Sequence, residues 1–169
     1  MKHLSLCENR SASKKGFTLM EILVVIGIIA ILAAIVIIAI NPAKQFAQAR
    51  NTTREAGVNS ILNAIGQRIA DNKGVFAGQF SGTSYTCGPL PSSATAVGTS
   101  MATDTTTATG DLGCLVPTYI SALPLDPTAA SGSNTGYTVA VGTTGRVTVC
   151  APAHVEPAIP DSSAYCVTR

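Results

Sequence analysis

A run of nineteen consecutive residues without a charged or polar side chain, residues 22–40, limits the possible folds of this chain most strongly. As an α-helix the run would be about 28 Å long, close to the roughly 30 Å hydrocarbon thickness of a bilayer. Gly27, Ala33 and Ala34 offer small surfaces at which a second helix could approach closely. We therefore expect residues 17–40 to form a membrane-spanning helix, and the competing interpretation is a helix buried in a protein core.

Glu21 places a carboxylate immediately before this run. An ionisable side chain within a membrane span costs about 2.5–3.5 kcal/mol on insertion scales, so it needs a partner or a purpose. The alternative is that the Glu21 carboxylate snorkels to the interface, because it lies near the end of the span.

Basic residues are concentrated before the apolar run, where residues 1–16 carry four Lys or Arg against one acidic residue, Glu8. From Phe17 onward, eight Asp or Glu outnumber seven Lys or Arg. The net charge of +2 therefore describes a basic leader and not a basic surface, and we infer no nucleic-acid partner from it. In a conventional secretory signal the apolar segment precedes the cleavage site. Here the order is inverted, because the charges and Gly16 come before the apolar run, so residues 1–16 are not such a signal.

Residues 41–73 are predicted to continue the helix with a single apolar face. Pro42 cannot donate to the carbonyl of Ile38, so a kink or local unwinding is expected there, and not a hard stop. Gly74 is placed to end the helix in a left-handed conformation. Apolar residues recur at helical spacing, at Val58, Ile61, Leu62, Ile65 and Ile69. The predicted polar faces carry Asn59, Ser60, Asn63, Gln67 and Arg68.

Residues 74–169 are predicted to form a β-rich globular head. Alternating apolar residues over 137–150, interrupted by the glycine-containing turn 142–145, indicate a hairpin. Residues 165–168 could add an edge strand, and the Ser/Thr-rich residues 92–110 are expected to form a long exposed loop. The fold class is therefore α+β, with a long N-terminal helix packed against a small antiparallel sheet.

Five cysteines divide into Cys7 in the basic leader and four in the rest of the chain: Cys87, Cys114, Cys150 and Cys166. An even number in a small exported domain favours two disulfides, each adding about 3 kcal/mol by the chain-entropy estimate. Three pairings are possible, of which we favour the nearest neighbours, Cys87 with Cys114 and Cys150 with Cys166. The alternative is four buried free thiols.

No group of residues in the sequence is arranged for catalysis. His154 is the only histidine after the leader, and it follows Cys150 by four residues. One thiol and one imidazole make neither a zinc site nor a nucleophile with its orienting group. We therefore expect no enzymatic activity and no cofactor.

The residues KKGFTLME, at positions 14–21, together with the apolar run behind them, resemble the class III leader of the type IV pilin and pseudopilin superfamily. The resemblance implies that a prepilin peptidase cuts between Gly16 and Phe17, which removes residues 1–16, and that Phe17 is then N-methylated. The matching proline of the best-known pilins comes slightly earlier than Pro42 does here.

The same resemblance implies how the mature chain is used. It is inserted in the cytoplasmic membrane as a single-pass protein with its head outside the cytoplasm, and it then joins an extracellular filament with apolar helices in the core. The implied partners are other copies of the chain, minor pilins, a membrane platform and an assembly motor. Glu21 of one subunit would pair with the Phe17 amine of a neighbour and set the axial register of the helices.

The residues LPLDP, at positions 123–127, are similar to a stretch that precedes a calcium-binding loop in major pseudopilins of type II secretion. Calcium needs six to eight oxygen ligands, and Asp126 is the only acidic residue between Asp111 and Glu156. We favour a proline-rigidified turn in which Asp126 binds nearby backbone amides, and Asp126 remains a weak calcium candidate.

Three functions follow from these patterns. The first is a structural subunit of an extracellular pilus, which the Ser/Thr-rich loop and the paired cysteines favour. The second is a pseudopilin of a type II secretion or DNA-uptake machine, and the third is a monomeric membrane-anchored binding module.

Overall fold

The structure, a computed structural model, describes residues 16–79, 86–101, 106 and 109–169. Residues 1–15 of the predicted leader lie outside the described residues, as do six residues of the predicted loop 92–110. The chain divides into two compact units, Met1–Asn41 and Pro42–Arg169, which are described separately.

The first unit contains helix α1, Leu19–Ile40, whose 22 residues are apolar on every side except at Glu21. None of its side chains is buried, and at about 33 Å it is long and apolar enough to cross a bilayer. The helix ends at Ile40, and the next residue, Asn41, takes a left-handed conformation with a φ angle of 46°.

The second unit begins with helix α2, Pro42–Asp71. Proline is suited to the first position of a helix, because its missing N–H would be unpaired there in any case. The sequence predicted a kink or local unwinding at Pro42, and the structure has two helices, α1 and α2, separated by the single residue Asn41. Asparagine tolerates the left-handed conformation better than most residues, which explains the interruption at this point.

The buried face of α2 contains the predicted apolar residues Val58, Ile61, Leu62 and Ile65, with Ile69 half-buried. Arg68 differs from the prediction, since its side chain is buried and not on a polar face. Its guanidinium donates to the carbonyl oxygens of Phe76 at 3.3 Å and Gly78 at 3.0 Å, which follow the helix in the chain. An arginine can be buried when backbone acceptors satisfy it in this way.

Gly74 ends α2 as the sequence predicted. Its N–H donates to the carbonyl oxygen of Ile69 at 2.8 Å, and its φ angle is +92°, a value that favours glycine.

The main sheet is antiparallel and has four strands, each paired with the next strand along the chain. A separate two-stranded sheet is formed by β1 (Gly78–Gln79) and β2 (Thr86–Cys87). The strands of the main sheet are β3 (Thr95–Gly98), β4 (Asn134–Val141), β5 (Val147–Ala151) and β6 (Tyr165–Thr168). Strands β4 and β5 form the predicted hairpin, and β6 is the predicted edge strand.

Strand β3 lies within residues 92–110, which the sequence predicted to be an exposed loop. Thr95 pairs with Val139 of β4, and the side chain of Val97 is fully buried. The prediction of an exposed loop is wrong for this strand, because four residues with one bulky apolar side chain gave too weak a pattern to identify a strand.

The core lies between α2 and the inner face of the main sheet. Its fully buried apolar side chains are Val58, Ile61, Val97, Leu112, Leu115, Val149 and Ala151, with Tyr137 and Val139 almost equally buried. The described residues thus have the predicted α+β fold.

Two disulfides join the nearest-neighbour cysteines that the sequence analysis favoured. Cys87 of β2 is bonded to Cys114 in a 3₁₀ turn, Gly113–Leu115, with 5.4 Å between their Cα atoms. Cys150 of β5 is bonded to Cys166, which lies directly opposite on β6, with 4.1 Å between Cα atoms. The first bond is buried in the core, and the second fastens the edge strand.

Gly57 lies on the buried face of α2 against Tyr137, whose side chain is buried. A Cβ atom at position 57 would overlap the Tyr137 hydroxyl and lie 2.7 Å from the ring carbon that carries it. Gly57→Ala is therefore expected to lower the free energy of unfolding by about 1–3 kcal/mol through overpacking.

Gly66→Ala is the matched control on the same helix, because no described atom outside its chain neighbours and the surrounding helix backbone lies within 4 Å of its Cβ position. There alanine should raise stability by up to about 1 kcal/mol through helix propensity. Denaturation of the detergent-solubilised chain, followed by tyrosine near-ultraviolet circular dichroism, measures both changes. A Gly57→Ala variant as stable as the wild type would contradict the overpacking.

Candidate functional site

The first turn of α1 is organised by Thr18, which is the N-cap of the helix. The Thr18 Oγ1 atom accepts a hydrogen bond from the backbone N–H of Glu21 at 3.2 Å. Threonine at the N-cap with glutamate three residues later is a pattern typical of helix starts, and sequence reasoning missed it. Glu21 therefore lies in the first turn, where a negative charge interacts favourably with the helix dipole.

The predicted cleavage site lies before the helix. Gly16, Phe17 and Thr18 have no regular secondary structure, and the Phe17 side chain is 79% exposed. Among the described residues other than its chain neighbours, no atom lies within 4 Å of the position that a Cβ on Gly16 would take. The peptide bond between Gly16 and Phe17 thus lies before the first residue of α1, Leu19.

Glu21 itself is exposed and forms no ion pair within the part of the chain that the structure describes. It is the only ionisable side chain of α1. Any cation that pairs with it must therefore come from outside the helix.

A cluster of charged side chains lies in the second unit, centred on Arg54. Its guanidinium donates from Nε to Asp126 Oδ2 at 2.8 Å and from Nη1 to Glu156 Oε1 at 2.5 Å. Arg50 donates two hydrogen bonds to the same Glu156 carboxylate, at 2.8 and 2.7 Å. Arg54 and Asp126 are fully buried or nearly so, and Glu156 is buried. We call these four residues the ionic cluster.

The acidic members of the ionic cluster are held in their charged form. Hydrogen bonds from Arg50 and then Arg54 lower the pKa of Glu156 from 4.5 to about 2, against the opposing effect of burial. For Asp126, burial raises the pKa. The hydrogen bonds from Arg54 and from the backbone N–H groups of Thr128 and Ala129 together lower the pKa by more than burial raises it, so the net shift is downward.

Asp126, the weak calcium candidate, has its carboxylate committed to protein donors. Beyond Arg54, it accepts hydrogen bonds from the Thr128 and Ala129 N–H groups, both at 2.8 Å. This is the turn-bonding role that the sequence analysis favoured, with an arginine added. No group of three or more His, Cys, Asp or Glu suited to a metal occurs in residues 16–79, 86–101, 106 and 109–169.

Cys150 and His154, considered above as a catalytic pair, are used differently. Cys150 is bonded to Cys166, so it has no free thiol. His154 Nε2 lies 3.2 Å from a Glu55 carboxylate oxygen, and Asn51 donates to the His154 carbonyl oxygen at 3.0 Å.

Sequence reasoning missed the ionic cluster because its members are far apart in the chain. Arg54 is separated by 72 residues from Asp126 and by 102 from Glu156. The one available signal was helical spacing. Arg50 and Arg54 are four residues apart, and the core residue Val58 follows after four more, which places all three on one face of the helix.

The ionic cluster predicts a loss of stability in acid. Because the folded pKa of Glu156 lies below its usual value, its contribution to stability is complete above about pH 4.5 and is lost as pH falls towards 2. Asp126 acts in the same direction, since its pKa is also lowered. Thermal unfolding of the detergent-solubilised chain across a pH series should show a falling midpoint in this window.

Glu156→Gln tests the assignment of this effect. It should unfold at a lower temperature than the wild type near neutral pH, and its midpoint should depend less on pH between about 4.5 and 2. Parallel pH curves for the two proteins would show that Glu156 is not responsible.

Comparison with known protein families identifies the N-terminal segment. Residues 11–39 match a family described as the prokaryotic N-terminal methylation motif. This motif is the class III leader of type IV pilins and pseudopilins, so the resemblance found in the sequence is confirmed. It indicates a pilin-like structural protein and not a family of enzymes. No curated protein and no solved structure matches the chain.

Proposed function

We propose, from the class III leader that this pilin-like chain carries, that its mature form is the structural subunit of an extracellular pilus. A prepilin peptidase removes residues 1–16, and Phe17 becomes the N-methylated first residue. The mature chain is inserted in the cytoplasmic membrane before assembly. A membrane platform and motor then polymerise it through its apolar helix.

The observation that carries this proposal is the pairing of the matched motif with a helix that buries nothing. All 22 residues of α1 are exposed, and all but Glu21 are apolar or glycine. Such an apolar surface is unfavourable in water. It is removed from water when the helix lies in lipid or packs among like helices. A helix that serves first as a membrane anchor and then as filament core meets both conditions.

Glu21 has a role in this proposal that apolar packing cannot supply. Apolar helices can slide past one another with little change in energy, whereas a buried carboxylate has one favourable position opposite a cation. Cleavage creates that cation as the amine of Phe17, and attraction between the two is stronger in the filament core than in water. Glu21 of one subunit thus sets the axial position of the next.

A pseudopilin of a type II secretion or DNA-uptake machine is the second candidate. Residues 123–127 favour it, because they are similar to the stretch found in major pseudopilins. A monomeric membrane-anchored binding module is a third, and it would leave Glu21 without a role.

Electron microscopy of sheared cell-surface material, with mass-spectrometric identification of the filament protein, tests the proposal. We expect long filaments that contain this chain, with Phe17 as the methylated first residue. Short filaments confined to the cell envelope would favour the pseudopilin. A mature protein that retains Met1 would contradict the processing step.

A further inference from the structure

The last eighteen residues, 152–169, bury little apolar surface, in contrast to the rest of the head. We call them the C-terminal strap. Glu156 is the only residue of the strap that is buried, and Tyr165 and Val167 are half-buried against the core. Burial of apolar surface, the main source of stability elsewhere in the head, is therefore small in this segment.

The strap is held by backbone pairing of its strand β6 with β5 and by polar contacts with one side of α2. Arg50 and Arg54 bind Glu156, Asn51 donates to the His154 carbonyl oxygen, and Glu55 lies against the His154 ring. Nearer the C-terminus, Arg169 donates to Asn63 at 2.6 Å and to Asn59 at 3.1 Å, both exposed. Outside the ionic cluster, the His154 contacts are partly buried, whereas the Arg169 contacts are exposed and each of these contributes little.

One covalent bond adds to these contacts, and it faces solvent. Val147, Val149 and Ala151 of β5 are buried, so the alternating Cys150 side chain lies on the sheet face directed away from the core. Cys150 is half-buried and Cys166 is exposed, whereas Cys87 and Cys114 are 2% and 4% exposed. A reductant in solution can therefore reach the second disulfide while the first is shielded.

We propose that the Cys150–Cys166 disulfide is a reducible clamp, whose opening releases residues 157–169 of the C-terminal strap while Glu156 keeps its contacts with α2 and the core of the head stays folded. A thiolate of a dithiol reductant attacks Sγ of Cys166, the more exposed of the two residues, forms a mixed disulfide and displaces the Cys150 thiolate, which takes up a proton. The second thiolate of the reductant then attacks the reductant's own sulfur in the mixed disulfide. This step forms a disulfide within the reductant and frees the Cys166 thiol. Two electrons pass from the dithiol to the protein disulfide.

Release of the strap changes the surface of the head. Strand β6 belongs to the strap, so its departure leaves the backbone of β5 (Val147–Ala151) without a partner on that side. An unpaired strand edge promotes association with other chains. The reduced protein should therefore gain a tendency to self-associate, whether or not it belongs to a pilus.

The test uses the detergent-solubilised full chain treated with increasing dithiothreitol, with free thiols alkylated and mapped by peptide mass spectrometry. Hydrogen exchange is measured on the same samples. We expect alkylation of Cys150 and Cys166 before Cys87 and Cys114, and exchange in residues 157–169 at least about tenfold faster, with residues 58–65 of α2 unchanged.

Two serine variants make the result decisive. The double variant Cys150→Ser, Cys166→Ser should show the same fast exchange in residues 157–169 without reductant, and Cys87→Ser, Cys114→Ser should lose protection throughout the core. Simultaneous alkylation of the four disulfide cysteines, Cys7 of the leader being left out of the comparison, or unchanged exchange in residues 157–169 of the first variant, would overturn the proposal.

Discussion

Replacement of Arg54 by alanine is expected to lower the free energy of unfolding of the head by about 3–5 kcal/mol. The side chain is 1% exposed and contacts two carboxylates, of Asp126 and Glu156, that are themselves buried. Without the guanidinium, Asp126 keeps only neutral donors, the N–H groups of Thr128 and Ala129 and the Thr128 hydroxyl, and Glu156 keeps Arg50 as its cation. The cost arises from charges left in a site of low polarity, and not from the loss of packing alone.

Arg50→Ala is the matched control, because Arg50 binds the same Glu156 carboxylate but is partly exposed. It should destabilise the head much less, since Arg54 still neutralises Glu156. Urea denaturation of the detergent-solubilised chain measures both variants. Equal losses for Arg54→Ala and Arg50→Ala would show that burial of the Arg54 pair does not determine its importance.

The isosteric change Glu21→Gln is expected to leave membrane insertion and leader cleavage intact while lowering incorporation into filaments at least about tenfold. A loss of only 1.4 kcal/mol for each subunit contact corresponds to a factor of ten in its equilibrium constant. The amide keeps the shape of the side chain but not its charge, so it cannot attract the Phe17 amine of a neighbour.

Asp71→Asn is the control for this substitution. It removes one exposed carboxylate at the end of α2 and should leave filament yield unchanged. Quantitative immunoblotting of sheared filaments and of membrane fractions separates assembly from insertion. Normal filament yield with Glu21→Gln would end the register argument, although the chain could still be a pilin.

Much of the fold could be predicted because the responsible signals are local. The apolar run of α1, the stripe on α2 and the alternation in β4 and β5 each occupy a continuous stretch, and each follows the period of its secondary structure. The cysteine pairs were favoured for the same reason, since short loops separate their members.

Burial of polar residues could not be predicted in this way. Arg68 reads as a polar position on a helix, yet the segment after the helix returns over it and supplies two carbonyl oxygens. Strand β3 was missed because its stability comes from pairing with β4, about forty residues further along the chain.

By itself, the sequence determined the class III leader, the apolar first helix and the position of Glu21, because nineteen uncharged residues and their flanking charges need no tertiary partner to be recognised. Only the tertiary structure decided that Arg54 would be enclosed by Asp126 and Glu156 and that the last residues would lie along α2. The physical reason is distance along the chain. A charge can be buried only where folding brings its counter-charge to it, and a linear pattern does not record which distant segments will meet.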